Sequence, residues 1–135
     1  PYRLEMAQRL AVPACPGLGL PAAGDLYAWW GDSLAARLRQ EGCDALVNVA
    51  SAEYARAVVP HMGEVPVVTC RFGQVRPSDG AFVQRATEAK AARGDFVRWC
   101  AERGVEDVGE LVGYRGRGYA LDESRSTADA LVFVR

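Results

Sequence analysis

No stretch of this 135-residue chain is apolar for the roughly 20 consecutive residues a membrane-crossing helix needs, so no membrane partner is expected. Histidine is nearly absent: His61 stands alone. The four cysteines, Cys15, Cys43, Cys70 and Cys100, are scattered and never spaced as CxxC. A zinc site would have to gather distant ligands, and neither a metal nor a cofactor is expected. Nothing marks a secreted disulfide framework; reduced thiols buried as small apolar groups fit better, with a cytoplasmic location. An excess of either charge is missing too. Sixteen basic residues against seventeen acidic ones leave a net charge of −1, which excludes attachment to a polyanion by bulk charge. Any basic surface has to be local.

What is present is an ordinary globular balance, 50% hydrophobic and 24% charged, in a chain long enough for one domain with a real core. It opens on PYRLEM (Pro1–Met6), which lacks the apolar stretch and cleavage pattern of a secretory leader and reads as the interior of a longer protein. Residues 11–24 hold three prolines and three glycines and form a loop. Asp25 can cap a helix whose stripe is Leu26, Trp30, Leu34 and Leu38, with Gly42 placed for a left-handed C-terminal cap. Ala45–Ala50 has the pattern of a buried strand. Ser51 can cap a helix running to about Val59, stopped by Pro60. Strands at Val65–Gln74 and Ala81–Glu88 flank the turn chemistry of Arg76–Gly80. A long helix over Ala89–Arg103, a tight Gly104-Val105 link, a short helix over Glu106–Gly113, a glycine-rich Tyr114–Tyr119 and a final strand Ala130–Val134 complete the chain. The order predicts an α/β fold (α+β mixed sheet with flanking helices).

Three places could carry chemistry. At the strand-to-helix corner, Asn48, Ser51 and Glu53 could meet an anion or nucleotide at a helix start; equally, Ser51 is a cap and Asn48 a bonded core amide. On the long helix, Ala89, Ala92, Phe96, Trp99 and Cys100 form the core face. Lys90 and Arg93 lie on an adjoining face beside Gly94, with Arg98 further round, so that two cations could hold a phosphate approaching the backbone. The alternative is a solvated flank of weak ion pairs. Residues 89–113 also have the outline of a helix-hairpin-helix turning at Gly104, although residues 85–117 carry seven basic and six acidic groups. Finally, Asp32 follows Trp29-Trp30-Gly31; burial among those rings would raise its pKa and suit it to carry a proton.

PYRLEM at Pro1–Met6, LYAWWGD at Leu26–Asp32, NVASAEY at Asn48–Tyr54, AKAARG at Ala89–Gly94 with Arg98, GYALDESRS at Gly118–Ser126 and LVFVR at Leu131–Arg135 resemble, in order and at matching spacing, motifs of the YaaA family of bacterial peroxide-stress proteins. The resemblance covers the C-terminal half of the family protein. It implies a missing N-terminal half as a partner and an unusual YaaA-like α/β fold, with a helix-hairpin-helix-like element near residues 89–113. It also implies a cytosolic role in limiting the damage that free iron does under peroxide. DNA, double-stranded and with little sequence preference, is the implied partner. Lys90, Arg93, Gly94, Arg98 and Gly104 would contact phosphate; Arg3, Glu5, Asn48, Ser51 and Glu53 would line the cleft, with Asp32 bracing it. Should the protein instead be an enzyme acting on a nucleotide or base, Asp32 and Glu53 are its candidate proton carriers. The family pattern commonly has a second lysine where this chain has Ala91, and lysines near Val59–Met62, so the positive field here is thinner.

Overall fold

A computed structural model describes residues 26–135; PYRLEM with Arg3 and Glu5, the proline-rich loop and Cys15 lie outside the described residues. The chain divides into two compact units, Pro1–Asp44 with Ala50–Val65, and Ala45–Val49 with Pro66–Arg135.

The described residues of the first unit form helices and turns. The predicted single helix is two, α1 (Leu26–Trp30) and α2 (Ser33–Gln40). Gly31 breaks it by adopting a φ of 50°, and the Ser33 hydroxyl donates to the Trp30 carbonyl at 2.6 Å across the break. Gly42, at φ 75°, ends α2 in the left-handed geometry its position predicts. The helix expected from Ser51 to Val59 is shorter: α3 spans only Ala52–Ala55, and Val59–His61 forms a separate 3-10 turn. The break falls at Val58, which leaves helical geometry at φ −127° and ψ −54° just before the turn that contains Pro60. The Tyr27 hydroxyl donates to the Glu53 carbonyl at 3.0 Å, Arg56 sits 4.6 Å over the Tyr27 ring, and Arg39 donates to the His61 carbonyl. Ala35, Ala57 and Met62 are buried here.

The second unit holds the mixed five-stranded sheet: β1 (Leu46–Asn48), β2 (Val67–Val75), β3 (Phe82–Val83), β4 (Ala120–Leu121) and β5 (Ala130–Val134). The order is β1-β2-β5-β4, with β3 pairing β2; β1, β2 and β5 run parallel, while β3 and β4 are antiparallel to their neighbours. β2 is the hub because it pairs with three strands. The Arg76–Gly80 turn forms as its residues dictate, with Arg76 paired to Asp79 at 2.8 Å and the Asp79 carboxylate accepting from the Ala81 amide at 3.1 Å.

Beyond that turn the predicted strand Ala81–Glu88 shrinks to β3, and α4 (Ala86–Arg103) starts three residues early. Glu88 is therefore a first-turn acid of the helix, where the dipole favours it, and Arg135 pairs with it at 2.7 Å. Gly104, left-handed at φ 62°, closes α4. The element after it is a 3-10 helix over Val108–Gly113 rather than the α-helix expected.

Alternation on β1, β2 and β5 sends Val47, Val68, Cys70, Phe72, Leu131 and Phe133 to the face that α4 covers. There they meet Ala92, Phe96, Leu111, Tyr114 and Tyr119. Phe72 stacks on Phe133 at 5.2 Å and meets Phe96, Tyr114 and Tyr119 edge-on. The Tyr114 hydroxyl donates to Asp95 at 2.9 Å. Gly116 packs against that pair so closely that a Cβ would collide with the Asp95 carboxylate and lie 2.6 Å from the Tyr114 ring. Gly116→Ala should therefore lower stability by about 1–3 kcal/mol through overpacking. Gly94→Ala, in an open mid-helix position, should raise it by about 0.5–1 kcal/mol. Urea unfolding of both variants checks the contrast; equal shifts would refute the packing argument.

Candidate functional site

The exposed flank of α4 carries the candidate cations in three different states. Arg98 is ion-paired along its own helix, to Asp95 at 2.7 Å and to Glu102 at 3.7 Å, so its charge is largely spent locally. Lys90 is exposed and makes no ion pair among the described residues. Arg93 is half-buried. Its Nε is enclosed without a hydrogen-bond partner among the described residues, and burial pulls its pKa down from the ordinary guanidinium value. Arginine keeps its proton at neutral pH regardless, so Arg93 is a partly desolvated cation with donors to spare. Gly94 beside it leaves open space at the helix surface, since a Cβ there would meet nothing within 4 Å.

One turn beyond Arg93, exposed Val97 borders an apolar groove of about 180 Å³ lined also by Val47, Val49, Phe96, Cys100, Val105 and Leu111. The groove lies at the carboxyl end of β1. Its valines were readable as strand residues in ALVNVA, but the helix that faces them is 50 residues away in sequence, and only the fold makes them its wall.

Of the remaining candidates, Asn48 shares the sheet unit with α4. Val47 and Val49 face α4, so strand alternation places Asn48 on the opposite face, where its amide donates to the Thr69 hydroxyl at 3.2 Å. Ser51, Glu53 and Asp32 belong to the helical unit. Ser51 stands at the start of α3 in extended geometry, yet its side chain makes no capping bond. Asp32 is not buried among the tryptophans: its side chain is 72% exposed, with Arg39 at 3.8 Å, which removes the burial a proton-carrier reading requires.

The corner at Gly104 leads into amides that are already occupied. Glu110 accepts from the amides of Glu106 and Asp107, at 3.3 and 3.1 Å, and Asp107 accepts from Gly109 at 2.6 Å. In YRGRGY, Arg115 spends its guanidinium on the Val112 and Tyr114 carbonyls, both at 2.7 Å. In the sequence Asp107 and Glu110 entered only a count of six acids over residues 85–117; as a capping pair they also fill the donors a phosphate would use.

Among the described residues no group of three or more His, Cys, Asp or Glu side chains is placed to hold a metal, and no helix is long and apolar enough to cross a membrane.

Comparison with known proteins adds an independent line. The family model described as peroxide stress protein YaaA matches residues 1–125. A UPF0246 protein of Laribacter hongkongensis is 40% identical over 139 residues, covering 100% of this chain and 50% of that protein. UPF0246 proteins of Ruegeria sp. and Lactiplantibacillus plantarum are 37% and 38% identical, each over 99% of this chain and 51% and 50% of their own length. The chain thus spans about half the length of the curated relatives it matches.

Cys70 and Cys100 belong to the sheet unit, and Cys43 is half-exposed. Cys70 is buried at the centre of β2, and burial, with Cys100 nearby, pushes its pKa up to about 12; burial also raises that of Cys100. At pH 8 about one Cys70 in ten thousand would be thiolate, the form that reacts. An unfolded cysteine ionises near 8.5, so the stability associated with the neutral thiol is fully present below that pH and is lost as pH rises toward 12. Iodoacetamide at pH 8 should modify half-exposed Cys43 while sparing Cys70 until denaturant is added. Peptide mass spectrometry reads this out, and rapid native labelling of Cys70 would contradict the burial.

Proposed function

Because the chain belongs to the YaaA family of peroxide stress proteins, we propose that the protein serves the peroxide-stress response by binding double-stranded DNA through its phosphates, thereby limiting iron-driven oxidative damage. The observation that carries this reading is Arg93: a cation partly withdrawn from water, with unused donors, beside exposed Lys90 and the open backbone of Gly94. Desolvation without an internal partner is unfavourable for the free protein, and a phosphate oxygen would offset it through charge-assisted hydrogen bonds. Such contacts fix position without reading sequence, which fits weak sequence preference. Arg98 and the Gly104 corner contribute less, the first because Asp95 and Glu102 neutralise it, the second because Asp107 and Glu110 occupy its amides.

A second reading, an enzyme acting on a nucleotide or base, draws on the groove at the end of β1, whose apolar walls adjoin Arg93. Turnover in a nucleotide panel that survives Asp32→Asn with Glu53→Gln would keep this reading while removing its two proposed proton carriers.

For DNA binding, log affinity should fall steeply with log salt, and the Lys90→Ala, Arg93→Ala double variant should flatten the slope by about 2, one counterion equivalent per lost phosphate contact. Arg98→Ala should change it far less. Gly94→Ala should weaken binding even as it stabilises the fold. Salt-independent affinity in fluorescence anisotropy would sink the proposal.

A further inference from the structure

The sheet face opposite α4 holds a second basic cavity, independent of the site proposed above. It has a volume of about 350 Å³ and is lined by Arg71, Phe82, Ser124, Arg125 and Val132. Arg71 projects from the middle of β2, opposite Val132 of β5 in the register, and shares its face with Asn48 and Thr69. Its guanidinium lies 5.0 Å over the Phe82 ring and forms no ion pair or hydrogen bond with the described residues. Arg125, by contrast, is held on two sides. Its Nε pairs with Asp122 at 3.0 Å, and Nη2 donates to the Gly80 carbonyl at 3.0 Å. Asp122 is itself fixed, because its other oxygen accepts from the Ser124 hydroxyl at 2.6 Å. That hydroxyl first, and Arg125 after it, hold the Asp122 carboxyl below its ordinary pKa, so it stays ionised and keeps Arg125 in place.

The charge count in the cavity is two guanidinium groups against one carboxylate whose two oxygens are both engaged. One fork is braced and the other is uncommitted, and both stand beside an apolar floor of Val132 and an aromatic wall of Phe82. A carboxylate would satisfy one fork; a dianionic tetrahedral group can use both. The cavity is too large for such a group alone, and Phe82, Val132 and Ser124 complete its lining. Ser124, whose hydroxyl hydrogen is engaged by Asp122, has only acceptor capacity left, which suits a ligand hydroxyl.

We propose that this cavity binds a phosphate monoester of a small organic molecule, with the phosphate between Arg71 and Arg125 and the organic part against Phe82 and Val132.

Calorimetric titration of the full chain with adenosine 5′-monophosphate, and separately with adenosine and with inorganic phosphate, tests both halves of the recognition. The monophosphate should bind more tightly than either half. Arg71→Gln should weaken it about tenfold or more, because a charge-assisted pair is lost. The Lys90→Ala, Arg93→Ala variant should leave it unchanged, which separates this site from the α4 flank. Arg71 is the deciding position, since its guanidinium has no polar partner among the described residues and rests on a ring, whereas Arg125 ties its own segment to Gly80 and its loss would disturb the fold there. Amide chemical shifts in the unsubstituted chain give a second readout: Ser124, Arg125 and Val132 should move on titration. No saturable binding, affinity unaltered by Arg71→Gln, equal loss in the α4 variant, or shifts clustered elsewhere would each overturn the assignment.

Discussion

The packing of Phe72 is the constraint on which the sheet unit depends. It lies fully buried on β2, the strand that pairs with three others, stacked on Phe133 and met edge-on by Phe96, Tyr114 and Tyr119. Its partners come from β5, from α4 and from the segment after the 3-10 helix, so one ring joins elements that span more than sixty residues. Aromatic pairs of this kind add about 0.5–1.5 kcal/mol each beyond area burial, and they also fix orientation. Because α4 is oriented by Phe96 against this cluster, the flank bearing Lys90 and Arg93 is held in position by core packing rather than by surface pairs. The same orientation leaves Val97 at the mouth of the groove.

Polar groups around the cluster are tightly committed on one side and loosely on the other. Asp95 accepts from Tyr114 and pairs with Arg98, and Glu88 pairs with Arg135, so the acids of α4 are used internally. Arg93 has no such partner among the described residues. In a chain whose charges nearly cancel, the informative cation is therefore the one that its neighbours leave unsatisfied. Number of basic residues would have ranked Arg98 and Arg115 equally with it, and the geometry separates them.

Much of this was legible in the sequence, and the limits are physical. The last strand, the Arg76–Gly80 turn, the core face of α4, the cap at Gly42 and the tight link at Gly104 followed from local chemistry, and local chemistry is what decides them. The breaks at Gly31 and before Pro60 were misjudged because an apolar stripe runs through both, while backbone geometry interrupts the helices. β3 ended early because Ala86-Thr87-Glu88 can serve a helix start as well as a strand. The α4 cations were visible as residues; their unequal standing was not, because it depends on Asp95 and Glu102 pairing with Arg98 and on how deeply Arg93 is enclosed. Asn48 was read at the strand-to-helix corner as a cleft residue or a bonded core amide; its face of the sheet becomes fixed only when the neighbouring strand is known, and there it bonds Thr69. The Arg71 cavity had no sequence signal at all, as its two arginines are 54 positions apart.

The register of β5 on β2 also sets an order of events in time. Thr69 pairs with Ala130 and Phe72 with Phe133, contacts that close about sixty residues of intervening chain. Parallel pairings of this separation are slow, since loop-closure entropy is lost before any stacking is gained. Until residues 130–134 have been synthesised, Phe72 lacks its stacked partner and one side of β2 lacks its ladder. A ribosome-bound chain would therefore carry an open strand edge beside unpaired aromatic surface, the kind of intermediate on which chaperones act.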